Sequence, residues 1–170
     1  MVIAHFGIGV AMLGVASDSA FSTEKLVAAR IGETVGIGPW LVRLGRVEPV
    51  TGPNWTALEA TLAASYGGAA PRELHPQARS FWTPPQQTTE SAILTRWNGQ
   101  LYTVLGEEAA DGRWQLRLWW KPFVTLIWLG GVLVALGGSL ALIGRAASGL
   151  RRRVAADKIA YRRQRQGRAQ

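Results

Sequence analysis

The sequence contains no cysteine among its 170 residues. A domain of this chain outside the cytoplasm therefore folds without disulfide bonds, and metal sites built on thiolates are excluded. Histidine is nearly as scarce, because His5 and His75 are the only two. Their imidazoles are the strong candidates for binding a transition metal or a heme iron.

Catalytic motifs are missing as well. The sequence shows no carboxylate pair, no Ser-His-Asp set and no glycine loop of the kind that binds phosphate. Each of these arrangements supplies the acid, base, nucleophile or anion site that the corresponding chemistry needs. Nothing therefore supports an independent hydrolase or a nucleotide-binding enzyme, and no catalytic residue is predicted.

The longest apolar run lacks charge. Residues 122–144 hold no Asp, Glu, Lys or Arg, and a run of this length crosses a bilayer as one helix. Trp119, Trp120 and Lys121 precede it and Arg145 follows it, as is typical of a membrane-spanning segment. Small residues recur along the run at Gly130, Gly131, Gly137, Gly138 and Gly144. Their spacing predicts a smooth stripe for close helix packing in lipid.

The net charge of the chain comes entirely from its C-terminal end. The formal net charge is +8, and residues 145–170 carry nine Lys or Arg against one acid, Asp157, so that residues 1–144 are neutral. A basic segment directly after a membrane span predicts a cytoplasmic C-terminus. It argues against a nucleic-acid partner and is compatible with anionic lipid.

The first apolar run, residues 2–16, is short for a span. It also lacks the basic segment that begins a signal peptide. We expect this helix to begin upstream of Met1, in a longer protein of which the chain is the C-terminal piece. A cleaved signal, with mature protein starting near Ser17 and one C-terminal anchor, is the alternative.

The segment between the two apolar runs has the patterning of β-strands. Residues 93–97 and 100–105 flank Asn98-Gly99, which predicts a type I′ hairpin. A second turn at Asp111-Gly112 leads into alternating apolar residues, namely Trp114, Leu116, Leu118 and Trp120. The pattern predicts a three-strand meander that leads into the second span.

Residues 25–31, 40–47 and 55–62 carry weaker strand signals, and residues 57–64 fit a short helix as an alternative. The predicted fold class is a membrane protein of α+β type. Two transmembrane helices, residues 1–17 and 121–144, flank a small antiparallel β-domain, residues 18–120, in the form of a sandwich or small barrel. A basic helical or disordered tail, residues 145–170, completes the chain.

His5 is the sharpest candidate site residue. An ionisable side chain within an apolar helix is costly and marks a site or a hydrogen bond to a neighbouring helix. His5 shares a helix face with Gly9, Met12 and Ala16. Small residues there allow a bulky ligand or another helix to approach. His75, in a polar loop before a proline, is interpreted as solvated, and most of the eight tryptophans as β-domain core or interface anchors.

Several motifs together resemble one family. They are Ala-His-Phe-Gly at residues 4–7, Ala-Phe-Ser-Thr-Glu-Lys at 20–25, Gly-Pro-Trp at 38–40, Gly-Pro-Asn-Trp at 52–55, Thr-Arg-Trp-Asn-Gly-Gln-Leu-Tyr at 95–102 and Trp-Gln-Leu-Arg-Leu-Trp-Trp-Lys-Pro-Phe-Val-Thr-Leu-Ile-Trp-Leu-Gly-Gly at 114–131. They are similar to the C-terminal region of the heme lyase subunit of cytochrome c maturation, the CcmF/NrfE family. The resemblance extends to Arg145.

The resemblance implies a multi-pass protein of the bacterial inner (plasma) membrane, with the β-domain in the periplasm. Such a protein transfers heme from the chaperone CcmE to apocytochrome c, which CcmH/CcmI-type chaperones present. It also implies a heme b in the membrane, with His5 matching one axial ligand of its iron. The β-domain would then dock partners, and the remainder of the heme lyase chain would itself be a partner.

Several family features are not in this sequence. The tryptophan-rich heme-handling segment, the two periplasmic histidines beside it and the second membrane histidine are all missing. This chain would therefore supply one ligand to one heme and would not be active alone. The alternative function is a membrane-anchored periplasmic binding or scaffold module without heme.

Overall fold

The computed structural model describes the backbone of residues 2–167 and the side chains of residues 2–149. The chain divides into two compact units. One comprises Met1–Met12 with Trp128–Gln170 and is helical, and the other, Leu13–Ile127, contains the β-strands. The side chains of the basic tail from residue 150 onward lie outside the described residues.

Two helices begin and end the described chain, α1 (Val2–Phe21) and α2 (Thr125–Gly167). Val2–Phe21 and Thr125–Gly149 are each long and apolar enough to cross a membrane. α1 thus continues past residue 17. Because α2 begins at Thr125, Lys121 and Pro122 end the last strand instead of starting the second helix. The backbone of the tail continues α2 as a helix.

Ten strands lie between the helices. They are β1 (Thr23–Ala29), β2 (Thr34–Ile37), β3 (Trp40–Gly52), β4 (Trp55–Tyr66), β5 (Arg72–Leu74), β6 (Gln77–Trp82), β7 (Pro85–Glu90), β8 (Ala92–Arg96), β9 (Gly99–Glu108) and β10 (Trp114–Pro122). The predicted antiparallel β-domain between two apolar helices is confirmed.

The strands form two antiparallel sheets. One sheet has the order β1-β10-β9-β8, and the other has the order β2-β3-β4-β6-β7 with β5 also paired to β4. In the first sheet Thr23 of β1 lies opposite Trp120 of β10. The first and last strands of the domain are therefore neighbours, and the end of α1 and the start of α2 join adjacent strands.

Both sheets contribute to one hydrophobic core. The four apolar residues predicted to alternate along β10 are all buried, which confirms the meander. Trp120 of β10 meets Trp40 and Tyr66 of the other sheet, with ring centroids 6.2 Å apart in each case. Trp40 and Tyr66 face each other edge to face at 5.0 Å.

The helical alternative for residues 57–64 is wrong, because these residues lie within β4. Ala60, Leu62 and Ala64 alternate along the strand and are buried in the core. Backbone pairing of β4 with β3 over twelve residue pairs outweighs an alanine helix preference of tenths of a kcal/mol per residue. Strands β2, β5, β6 and β7 were not predicted, since they are short or polar.

The prediction of a type I′ turn at Asn98-Gly99 is also wrong, because the turn lies one residue earlier in the chain. Arg96 pairs with Gly99, so the two turn residues are Trp97 and Asn98, and neither has the positive φ that a type I′ turn requires. Gly99 is the first residue of β9, with φ +151°. A Cβ there would lie 2.5 Å from the Lys121 carbonyl oxygen. This glycine is needed for close strand contact. The turn at Asp111-Gly112 is present as predicted, with Gly112 at φ +75°.

Candidate functional site

The two helices contact each other through glycine and alanine. A Cβ on Gly130 would lie 2.5 Å from the Ala11 nitrogen, and one on Gly137 would lie 2.5 Å from the Ala4 nitrogen. A Cβ on Gly7 would lie 2.8 Å from the Gly130 carbonyl oxygen. These backbones are therefore in direct contact, as small residues permit in lipid. Two of the five glycines of the predicted stripe, Gly130 and Gly137, lie in this contact, whereas a Cβ on Gly131, Gly138 or Gly144 would meet nothing within 4 Å.

His5 lies on the opposite side of α1 from this contact. At 100° per residue, it is turned more than about 100° from the mean direction of Ala4, Gly7 and Ala11. His5, Gly9 and Met12 are all exposed, and a Cβ on Gly9 would meet nothing within 4 Å. The face predicted from the spacing of His5 thus exists and is not the face that packs on α2.

The chemistry of His5 is compatible with heme. An imidazole nitrogen can be an axial ligand for heme iron, and a Cβ on Gly9, one turn from His5, would meet nothing within 4 Å. The other histidine of the chain, His75, lies between β5 and β6. Among the described residues no group of three or more His, Cys, Asp or Glu is arranged to hold a metal ion.

Two carboxylates lie close to the His75 imidazole. Its Nδ1 lies 3.4 Å from Glu59 Oε1 and its Nε2 lies 3.7 Å from Glu73 Oε2. Its side chain is 44% exposed, in agreement with the interpretation of a solvated loop histidine. Contacts of this kind at a partly exposed position contribute little to stability.

A cleft opens at one end between the two sheets. It has a volume of about 700 Å³ and is bordered by β4, β6 and β7 on one side and by β9 and Trp114 on the other. Leu58 faces it from the same side of β4 as the buried Ala60 and Leu62, and remains 39% exposed. Leu105 and Trp114 line the opposite wall. The cleft is a concave, mainly apolar surface with polar rims, the form that suits a binding site.

The sequence did not predict this cleft. Its one local signal is the alternating apolar pattern of β4, which includes Leu58, a position that the other sheet leaves uncovered. That uncovered position depends on where β9 and β10 end relative to β4. Sequence periodicity does not contain this information.

Known proteins are similar to most of this chain. The family model described as "CcmF C-terminal beta-sandwich" matches residues 20–122. The cytochrome c-type biogenesis protein CcmF of Escherichia coli (strain K12) is 38% identical over 160 residues, which are 94% of this chain and 24% of that protein. The cytochrome c-type biogenesis protein ccl1 of Rhodobacter capsulatus is 36% identical over 160 residues, which are 92% of this chain and 24% of that protein.

A solved structure of the cytochrome c heme lyase CcmF has a similar fold. It aligns with a TM-score of 0.64 and 21% identity, covering 79% of this chain and 23% of that chain. The chain thus spans about a quarter of the length of the relatives that it matches.

Proposed function

This chain belongs to the CcmF family of cytochrome c-type biogenesis proteins, and from that membership we propose that it works within a heme lyase. The lyase would transfer heme from the periplasmic chaperone CcmE to apocytochrome c, presented by CcmH/CcmI-type partners. The observation that carries the proposal is the family match over residues 20–122, which is the β-domain itself. The two apolar helices support membrane association.

The proposed topology has the β-domain in the periplasm and the C-terminus in the cytoplasm of a bacterial inner membrane. Nine Lys or Arg against one acid after residue 144 support this orientation. α1 would then run from the cytoplasm to the periplasm, and α2 would return. The pairing of β1 with β10 brings both helix connections to adjacent strands, which is compatible with a β-domain that lies on one side of the membrane.

His5 is proposed as one axial ligand of a heme b in the membrane. Its exposed position, away from the face that packs on α2, supports contact with a group outside the helix pair. The second axial ligand would come from another segment of the lyase. When bound, heme supplies an iron that can carry one electron. The part of this chain is to hold its imidazole at the iron and to leave the Gly9 surface free.

The ligand role is tested by His5→Ala in the assembled lyase. We expect this variant to lose most of the b-type absorption per protein, because no other histidine lies on the described helices. His75→Ala is the matched control, since it removes the other imidazole of the chain from an exposed site on the β-domain. An unchanged spectrum in His5→Ala would contradict the assignment.

The β-domain is proposed to dock the heme chaperone or the apocytochrome partners through the inter-sheet cleft. The cleft supports this role because it is concave and exposes Leu58, while the buried side chains of Leu105 and Trp114 form its opposite wall. An extended segment of a partner buries apolar side chains there and hydrogen-bonds with the polar rim.

Leu58→Asp tests this docking. We expect it to reduce co-purification of the partners, because a carboxylate in the cleft opposes burial of apolar groups. Leu41→Asp is the control, since Leu41 is 54% exposed on β3 and points away from the buried face that carries Trp40 and Val42. If removal of residues 22–119 leaves co-purification intact, the domain does not dock partners at all.

The alternative is a membrane-anchored scaffold without heme. It predicts no b-type absorption in the assembled protein before any substitution. The b-type absorption of the unsubstituted protein in the His5 experiment therefore distinguishes the two functions.

A further inference from the structure

A tryptophan is exposed at the turn between β8 and β9. Trp97 is 83% exposed, although three other tryptophans, Trp40, Trp114 and Trp120, are buried in the core of the same domain. A single exposed aromatic residue is not unusual by itself, so its meaning depends on what lies beside it.

Hydrogen bonds hold this turn against the beginning of α2. The Thr125 hydroxyl donates to the Trp97 carbonyl oxygen at 2.8 Å. The Phe123 N–H donates to the Asn98 carbonyl oxygen at 2.8 Å. The Asn98 amide in turn donates to the Tyr66 hydroxyl at 2.7 Å. The turn is therefore held at the level where the apolar helix starts.

The connection between β10 and α2 presents a second aromatic side chain at this level. Phe123 has φ +58°, a left-handed conformation that costs energy for any residue except glycine. It is held there by the bond to Asn98 and by the Leu126 N–H, which donates to the Phe123 carbonyl oxygen at 2.9 Å. Its side chain is 42% exposed.

We propose that Trp97 and Phe123 insert into the headgroup region of the lipid bilayer and fix the depth at which the β-domain lies on the membrane. Thr125 begins the apolar span, so the turn bonded to it lies at the boundary between lipid and water. Indole rings prefer this boundary, because the ring is apolar and its N–H still reaches water. The partner that we propose for Trp97 and Phe123 is therefore lipid, because these side chains lie beside the start of the apolar span.

The domain offers a matched control in Trp82, which is 53% exposed. The backbone N–H of Trp82 donates to the Asn54 carbonyl oxygen at 3.1 Å, in the turn between β3 and β4. Tyr66, beside Asn98, pairs with Trp40 at the opposite end of the same hairpin. Twelve residue steps of β3 separate these ends, or about 40 Å at about 3.3 Å per residue.

The absence of cysteine allows single nitroxide labels at Trp97→Cys and Trp82→Cys in the chain reconstituted into phosphatidylcholine–phosphatidylglycerol vesicles. Collision with oxygen, which concentrates in lipid, and with a water-soluble nickel complex reports the depth of each label. We expect nickel accessibility several-fold lower at position 97 than at position 82. A label at Leu136→Cys, in the middle of the span, verifies that α2 crosses the bilayer.

A second measurement reports on the native indole. Trp97→Leu should remove part of the fluorescence that lipids brominated near the headgroup quench, and Trp82→Leu should not. The proposal is overturned if positions 97 and 82 are equally accessible to nickel while Leu136→Cys is in lipid. It is overturned as well if position 97 excludes both nickel and oxygen, because protein then covers it. Both outcomes leave the proposed heme role unaffected.

Discussion

Replacing Gly130 with valine is expected to lower the stability of the helix pair by about 1–3 kcal/mol, the usual cost of overpacking. The new Cβ would lie 2.5 Å from the Ala11 nitrogen and 2.6 Å from the Gly7 carbonyl oxygen. These are backbone atoms, so no side-chain rotation relieves the clash and α1 must move away from α2. In lipid the hydrophobic effect does not hold the helices together, and the lost packing is not recovered.

The measurement uses nitroxide labels at Ile3→Cys and Leu140→Cys, two exposed positions on the helix pair. Their separation is followed in micelles as sodium dodecyl sulfate is added, and Gly130→Val should separate the helices at a lower concentration. Gly131→Val carries the same propensity change on the same helix, but its Cβ would meet nothing within 4 Å. If the two variants behaved alike, the glycine contact would not be what joins the helices.

Replacing Trp120 with alanine is expected to cost about 3–5 kcal/mol, the range for large aromatic side chains removed from a core. Trp120 is 7% exposed and contacts the rings of Trp40 and Tyr66. Its ring also packs on Gly38 and Gly99, where an added Cβ would lie 2.6 Å and 2.7 Å from ring atoms. The cavity would open at the junction of the two sheets, next to the start of α2.

Trp119→Ala is the matched control, since the adjacent side chain points to the other face of β10. Trp119 lies 5.4 Å from the Arg117 guanidinium, a contact worth about 0.5–1 kcal/mol at an exposed site. Urea unfolding in micelles, followed by near-ultraviolet circular dichroism, should show a much larger loss for Trp120→Ala. Equal losses would mean that Trp120 does not join the two sheets.

The resemblance found in the motifs is confirmed by the family match. Two tryptophans of the last motif show what such a match leaves to the structure. In the sequence Trp119 and Trp120 both precede the predicted membrane span, and Trp120 also ends the alternating apolar pattern. The structure confirms the strand position of Trp120, which belongs to the β-domain core, and α2 begins only at Thr125. Two adjacent strand residues point in opposite directions, and which one is buried depends on the sheet that covers them.

The sequence by itself determined the properties that depend on neighbours in the chain. These are the two apolar runs, the alternation along β10, the charge of the tail and the placement of His5 on a helix. Only the tertiary structure decided that residues 57–64 are a strand, that Gly130 contacts α1 while Gly131 does not, and that Leu58 borders a cleft. Each of these depends on residues far away in sequence, because strand pairing and side-chain burial are set by what lies opposite. The uncharged run that ends at residue 144 could be recognised from composition, but the packing face of its helix was decided by Ala4, Gly7 and Ala11 of α1.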